Sequence, residues 1–231
     1  MTGRVFILTT VVLSLAFTMG CRNKRDMNLK TVGVDASAVY CVFDPSCAVT
    51  VTQSNITPIP LQSGGTAYFE SRTFAGKPGT AAAGLYGYEY RIDLSKAVET
   101  TVHVEDVGDL NYMPCLRSLL VEFGPIVDTL DYDGDGKAGD LAYVVKRGGP
   151  GKIGIGSIDR WSNNVFFNFD SPICVGAANR EGDSTFLVGL VSAKPPRSIE
   201  ATLQETAGMG AASPKLKKNL KHKVMVYAPQ I

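Results

Sequence analysis

Histidine is nearly missing from this chain: His103 and His222 are the two imidazoles in 231 residues. That scarcity closes most routes to a histidine-activated nucleophile, and no G-x-S-x-G occurs to hold a serine on a strand-to-helix elbow. Zinc is as poorly provided for, because the five cysteines include no C-x-x-C pair. Net charge is small as well. The formal value is +1, and removing the first 20 residues takes away Arg4 alone, leaving basic and acidic side chains equal at 22. Such a chain has no global field to draw it onto nucleic acid. Extended helical periodicity is scarce, whereas Gly (24 residues) and Pro (12 residues) supply the turns of a fold made from many short strands.

No apolar run is long enough to span a membrane. The longest, Val5 to Phe17, would be a helix of about 20 Å against a hydrocarbon core of about 30 Å. Behind Arg4, it reads as a secretory signal over residues 1–20. The signal ends T-M-G-C and resembles that of a bacterial lipoprotein, which implies that Cys21 carries lipid and anchors the chain to a membrane. Residues 21–34 open with a charged, aperiodic stretch and read as a tether, leaving 35–231 as the folded domain. With Cys21 lipidated, Cys41, Cys47, Cys115 and Cys174 remain, an even number suited to an oxidising compartment. Of three connectivities, Cys41–Cys47 around Asp44-Pro45-Ser46 and Cys115–Cys174 are favoured.

Short alternating segments recur along the domain. Val39 to Phe43 and Ala48 to Thr52 read as a hairpin, and Thr66 to Ser71 as a strand. Leu85 to Leu94 is the clearest strand, with Tyr86, Tyr88 and Tyr90 on one face and Leu85, Gly87, Glu89 and Arg91 on the other. Further strands are expected at Thr100 to Val104, Leu116 to Phe123, Ile126 to Leu130 and Leu141 to Lys146. Val165 to Phe169, Thr185 to Ser192, Ser198 to Glu205 and Val224 to Tyr227 complete the set. This spacing predicts an all-β protein, a single antiparallel β-sandwich of jelly-roll-like type with little helix.

The stretch Asp131 to Leu141, D-Y-D-G-D-G-K-A-G-D-L, is the main candidate for chemistry. Alternate carboxylates with Gly136 at the sharp turn suit calcium, a hard cation that takes six to eight oxygens. Asp131, Asp133, Asp135 and Asp140 are the candidate ligands, with Asp128, Asp106 or Asp109 as reserves. Ala142 stands where an EF-hand has its bidentate Glu, so the pattern is not an EF-hand. The same residues would also make a turn whose side chains bond their own backbone amides. The glycine-rich run Gly148 to Gly156 follows Gly151-Lys152 with Ile153, not Ser or Thr, and reads as turns.

Aromatic residues offer a second candidate. Tyr86, Tyr88, Tyr90 and Trp161, with Phe166 and Phe167, would stack on sugar rings if exposed and fill a core if not. Lys215, Lys217, Lys218, Lys221 and Lys223 form a basic segment that would be solvated or would meet anionic headgroups or polysaccharide.

Two family resemblances follow from these residues. D-Y-D-G-D-G-K-A-G-D-L-A resembles the calcium loops of FG-GAP-type repeat proteins, in which the first, third, fifth and ninth positions coordinate. Asp131, Asp133 and Asp135 match it; Gly139 stands at the ninth position and Asp140 comes one residue later. L-Y-G-Y-E-Y-R-I-D-L, F-G-P-I-V, P-I-C-V-G and F-L-V-G-L-V-S-A-K-P-P-R resemble an uncharacterised β-rich domain of secreted and surface-anchored bacterial proteins. These readings lead to the expectation of an exported, lipid-anchored, non-catalytic module of the cell envelope, calcium-stabilised, with a protein or glycan partner. A secreted carbohydrate-active hydrolase is the alternative, and an inhibitor or assembly factor of an envelope complex a third.

Overall fold

Alternation of apolar side chains on short strands needs a second surface to bury against, and the chain supplies two sheets and a partial third layer. The structure, a computed structural model, describes residues 27–206 and 220–231. The signal at 1–20, Cys21 and the lysines at 215, 217 and 218 lie outside the described residues.

In chain order, β1 (Met27–Asn28) and β2 (Thr31–Asp35) lead into the short helix α1 (Ala36–Cys41). There follow β3 (Gln53–Pro58), β4 (Gly64–Ala75), β5 (Tyr86–Val98), β6 (Thr100–Val104) and β7 (Gly108–Tyr112). Then come β8 (Cys115–Glu122), β9 (Ala142–Arg147), β10 (Ile155–Trp161) and β11 (Asn164–Cys174). The last are β12 (Leu187–Ser192), β13 (Pro196–Thr206) and β14 (Lys221–Pro229). The first sheet runs β1-β10-β11-β8-β13-β14 and the second β2-β9-β12-β5-β4-β3, while β6 and β7 form a separate hairpin. Pairing is antiparallel throughout both sheets except where β2 joins β9 in parallel, Val32 opposite Tyr143. The fold is all-β and sandwich-like, as the strand pattern predicts.

The main core lies between the two sheets. Phe69, Tyr88, Tyr90, Ile92 and Leu94 from the second sheet meet Leu119, Val121, Phe167, Leu203 and Val226 from the first. A second core lies on the far side of the second sheet, where Val34, Val39, Phe43, Phe74, Tyr143 and Val191 pack together. The middle of the second sheet is therefore covered on both faces, which is why β12 (L-V-G-L-V-S) is buried at every position. Its Gly189 is required by this packing: a Cβ there would stand 2.0 Å from Cζ of Tyr143.

Three expectations are corrected. Residues 27–34 are not tether but strands of both sheets, with Leu29 and Val34 buried. The expected hairpin at Val39 to Phe43 is helical at Ala36–Cys41. Val39 and Phe43 are four residues apart, so a helical turn brings both to one side, where Phe43 meets Phe74 edge-on at 4.9 Å. Ile126 to Leu130 is not a strand beyond an isolated bridge from Leu130 to Asp140.

The disulfides are Cys41–Cys47, which closes the loop after α1, and Cys115–Cys174, which joins facing residues of β8 and β11.

Candidate functional site

The aspartate loop hangs between Leu130 and the start of β9. Asp131, Asp133 and Asp140 bring carboxylate oxygens within 4.8 Å of one another. Asp140 is fully buried because the Leu130–Asp140 bridge pulls it under the sheet edge, where it accepts the Tyr132 amide at 3.0 Å and pairs with Lys30 at 2.7 Å. That pairing is also the first reason the Lys30 ammonium is held above its ordinary pKa. Asp135 is not part of the group. Its carboxylate turns to the amide of Lys137 at 2.8 Å and to the Lys137 ammonium at 3.3 Å. Those two contacts, the amide first, hold Asp135 below the usual carboxylate range. Asp131 accepts the amides of Gly134 (2.7 Å) and Gly136 (2.8 Å), the latter possible because Gly136 adopts a φ of 82°. The loop thus has the turn chemistry read from its sequence at each carboxylate, and it gathers oxygens of three of them within 4.8 Å.

Beneath the covering layer lies a buried ionic group that the sequence analysis did not single out. Glu89 is fully buried on the face of β5 opposite the tyrosines. Its Oε2 accepts Arg72 Nε at 2.6 Å, and its Oε1 accepts the Tyr143 hydroxyl at 3.0 Å. Arg72 Nη2 also donates to the Tyr40 hydroxyl at 2.6 Å. Burial raises Glu89, opposed by the Arg72 guanidinium, and burial likewise pushes the Tyr40 and Tyr143 hydroxyls up. A depression of about 560 Å³ lies above, lined by Asp35, Tyr40, Cys47, Val49, Arg72 and Arg147.

A second buried carboxylate sits under the β6–β7 hairpin. Glu205 accepts the Tyr112 hydroxyl on one oxygen and lies 2.5 Å from His222 Nε2 on the other. The pattern K-H-K-V-M-V already places His222 on one side with the buried Val224 and Val226. His103 is exposed and meets Asp109 at 2.8 Å.

The aromatic candidates separate. Tyr88 and Tyr90 are core residues, with exposures of 0% and 1%, and cannot stack on a ligand. Their hydroxyls donate to the carbonyls of Lys194 and Tyr227, both at 2.7 Å. Tyr86 is half-buried against the same core. Their strand was read with the right faces, but the tyrosine face points into the sandwich.

Trp161, in contrast, is 57% exposed at the end of β10. Beside it a depression of about 710 Å³ is lined by Asp159, Arg160, Trp161, Phe166 and Asn168. Arg160 braces the turn beneath, donating to the carbonyls of Ser162 and Gly124, both at 3.0 Å. Asp159 accepts Asn28 at 3.1 Å on one oxygen, and Ser157 at 2.9 Å and Asn168 at 2.8 Å on the other.

Fold and sites together define a disulfide-bonded β-sandwich with one built-over sheet and one open sheet. No family model, curated protein or solved structure matches the chain.

Proposed function

We propose that this protein is an exported, lipid-anchored, non-catalytic binding module of the cell envelope, held through Cys21 and presenting the open outer face of its first sheet to a partner. The observation that carries this reading is the unequal treatment of the sheets. One outer face is covered by α1 and the Cys41–Cys47 loop over β9, β12 and the adjoining parts of β4 and β5, while the other leaves Trp161 and Met225 exposed. Two disulfides favour an oxidising compartment. Of the residues lining the depression beside Trp161, the one carboxylate, Asp159, has both oxygens engaged by neighbours, which favours holding a ligand over acid–base chemistry.

The test is metabolic labelling of producing cells with an alkyne fatty acid, with cell fractionation. The wild-type chain should take label and stay with membranes, and Cys21→Ser should do neither. An unlabelled wild-type chain in the soluble fraction overturns the anchored reading.

A structural calcium ion at Asp131, Asp133 and Asp140 belongs to the same proposal, with the Lys30 ammonium displaced from Asp140. Calcium at about 100 times its dissociation constant adds roughly 2.7 kcal/mol to a folded state that alone binds it, a shift of several degrees. Thermal unfolding should rise by that amount with calcium against chelator, and the rise should vanish in Asp133→Ala. An unchanged midpoint in the wild type leaves the loop a self-bonded turn.

A further inference from the structure

We propose that the depression on β10 and β11 is a glycan subsite that takes a neutral or N-acetylated pyranose oligosaccharide, with Trp161 as its stacking ring. This rests on the binding-module reading and names its ligand class.

The strand pleat sets the geometry. Ile158, Val165 and Phe167 point into the core, so Ser157, Asp159 and Trp161 on β10 and Phe166 and Asn168 on β11 share the outer face. Register places Asp159 opposite Phe166, Ser157 opposite Asn168 and Trp161 opposite Asn164. Trp161 and Phe166 are therefore diagonal neighbours, about 7–8 Å apart by backbone spacing, close enough for one ligand to touch both rings. Next to the rings stand an amide, a hydroxyl and a carboxylate already locked together: Asn168 Nδ2 reaches Ser157 Oγ at 3.0 Å and Asp159 Oδ2 at 2.8 Å. Flat apolar rings beside fixed, mostly uncharged hydrogen-bonding groups match a pyranose, whose C–H face is apolar and whose rim carries hydroxyl donors and acceptors. The volume, about 710 Å³, falls among small-ligand sites of roughly 300–1,000 Å³.

The same observations speak against a bilayer as the occupant of this site. The site is a hollow, not a protruding apolar tip, and it holds the Asp159 carboxylate. Glu122, with a side chain 54% exposed, stands in the same cross-strand row as Asn164 and Trp161, and its charge is matched by Arg197 at 3.6 Å, so the row offers no net positive charge to anionic headgroups.

Register also locates the ligand. Met27 lies opposite Arg160, so the chain leading back to Cys21 leaves the sheet beside Trp161. Six residues span at most about 22 Å, whatever their path. A chain anchored at Cys21 therefore keeps this subsite close to the membrane, within reach of membrane-proximal envelope glycan.

Trp161 is the single tryptophan of the chain and reports on the site directly. The full chain carrying Cys21→Ser is titrated with cellobiose, maltotriose and tri-N-acetylchitotriose while its emission is followed. At least one sugar should give a saturable change. Phe166→Ala and Asn168→Ala should weaken it by about tenfold, the size of one hot-spot truncation. Ile56→Ala, on the edge strand β3 of the second sheet, should leave it unaltered. Calorimetry on Trp161→Ala, whose exposed side chain the fold does not need, should show an equal or larger loss. No saturable response to any of the three sugars overturns the inference, as does undiminished binding in Trp161→Ala. A response confined to plain phospholipid vesicles overturns it too and makes Trp161 a membrane contact. Because these proteins carry no lipid, a failure here is separate from a failure of Cys21 labelling, which tests the anchored reading alone.

Discussion

The two sheets have six strands each and contrasting outer faces. On the second, α1, the Cys41–Cys47 loop and Tyr132 of the aspartate loop bury Phe43, Phe74 and Tyr143, and an ionic group is sealed in with them. On the first, the outer residues of β10 and β11 remain partly open, and their polar groups bond one another across the strands. The covered face carries stability, and the open face is the one proposed for recognition. The strength of that division can be measured one side chain at a time.

The largest effect is expected at Arg72. Arg72→Ala leaves Glu89 buried without its cation, and breaking a buried pair in this way costs about 3–5 kcal/mol. Replacing both partners, as Arg72→Met with Glu89→Met, should recover at least half of that loss, because an apolar pair leaves no stranded charge. Urea unfolding of the two variants decides the matter, and an equal loss in both would assign the effect to packing. The single variant should also depend on pH. Burial raises Glu89, so the contribution of its protonated form is fully present below the ordinary glutamate range and is lost as pH rises through the raised value. Without Arg72 that rise grows, and the destabilisation should be smaller at pH 4 than at pH 7.

Much of this contrast was legible in the sequence, and the illegible part has a physical cause. Alternation placed the tyrosines and Glu89 on opposite faces of β5, but alternation cannot say which face is covered by a distant helix. The run L-V-G-L-V-S does carry that information, since a strand apolar at successive positions has no wet side. Residues 36–41 misled because Val39 and Phe43 satisfy a period of two and a spacing of four equally well. In the aspartate loop the turn and its acidic cluster were readable. That Asp140 stays in the cluster while Asp135 leaves it was not, because the bridge to Leu130 holds the first in place and Lys137 takes up the second.

The covering layer should come loose before the sandwich. Removing its disulfide with Cys41→Ala and Cys47→Ala frees a six-residue loop, worth about 2 kcal/mol by loop closure. Removing Cys115–Cys174, whose ends are 59 positions apart, is worth about 4 kcal/mol on the same scale and acts on the first sheet instead. Hydrogen exchange read locally should show the first change confined to α1 and its loop. Uniform loss of protection would mean that cover and sandwich unfold as one unit.

A smaller effect belongs to Asp44 in that loop. The Lys77 ammonium first, and then the Ser46 hydroxyl and amide, hold its carboxyl down to about 2 from 3.8. A depressed carboxylate contributes stability above its ordinary pKa and loses it as pH falls through the depressed value. The difference between wild type and Asp44→Asn should therefore be constant above about pH 4 and shrink toward pH 2. A difference that does not change with pH would show that the carboxylate acts by shape alone.

The smallest change in stability is expected where the functional change is greatest. Trp161→Ala removes a side chain that is 57% exposed and makes none of the buried contacts of either core, so the unfolding free energy should move by no more than about 0.5 kcal/mol. Arg160 and the bonded group around Asp159 keep the turn and the strands in place without the indole. If Trp161→Ala unfolds at the wild-type urea concentration while Phe74→Ala on the covered face does not, the two outer faces differ in kind. A large loss at Trp161 would place it in a packed layer of its own and remove the open face from the account of recognition.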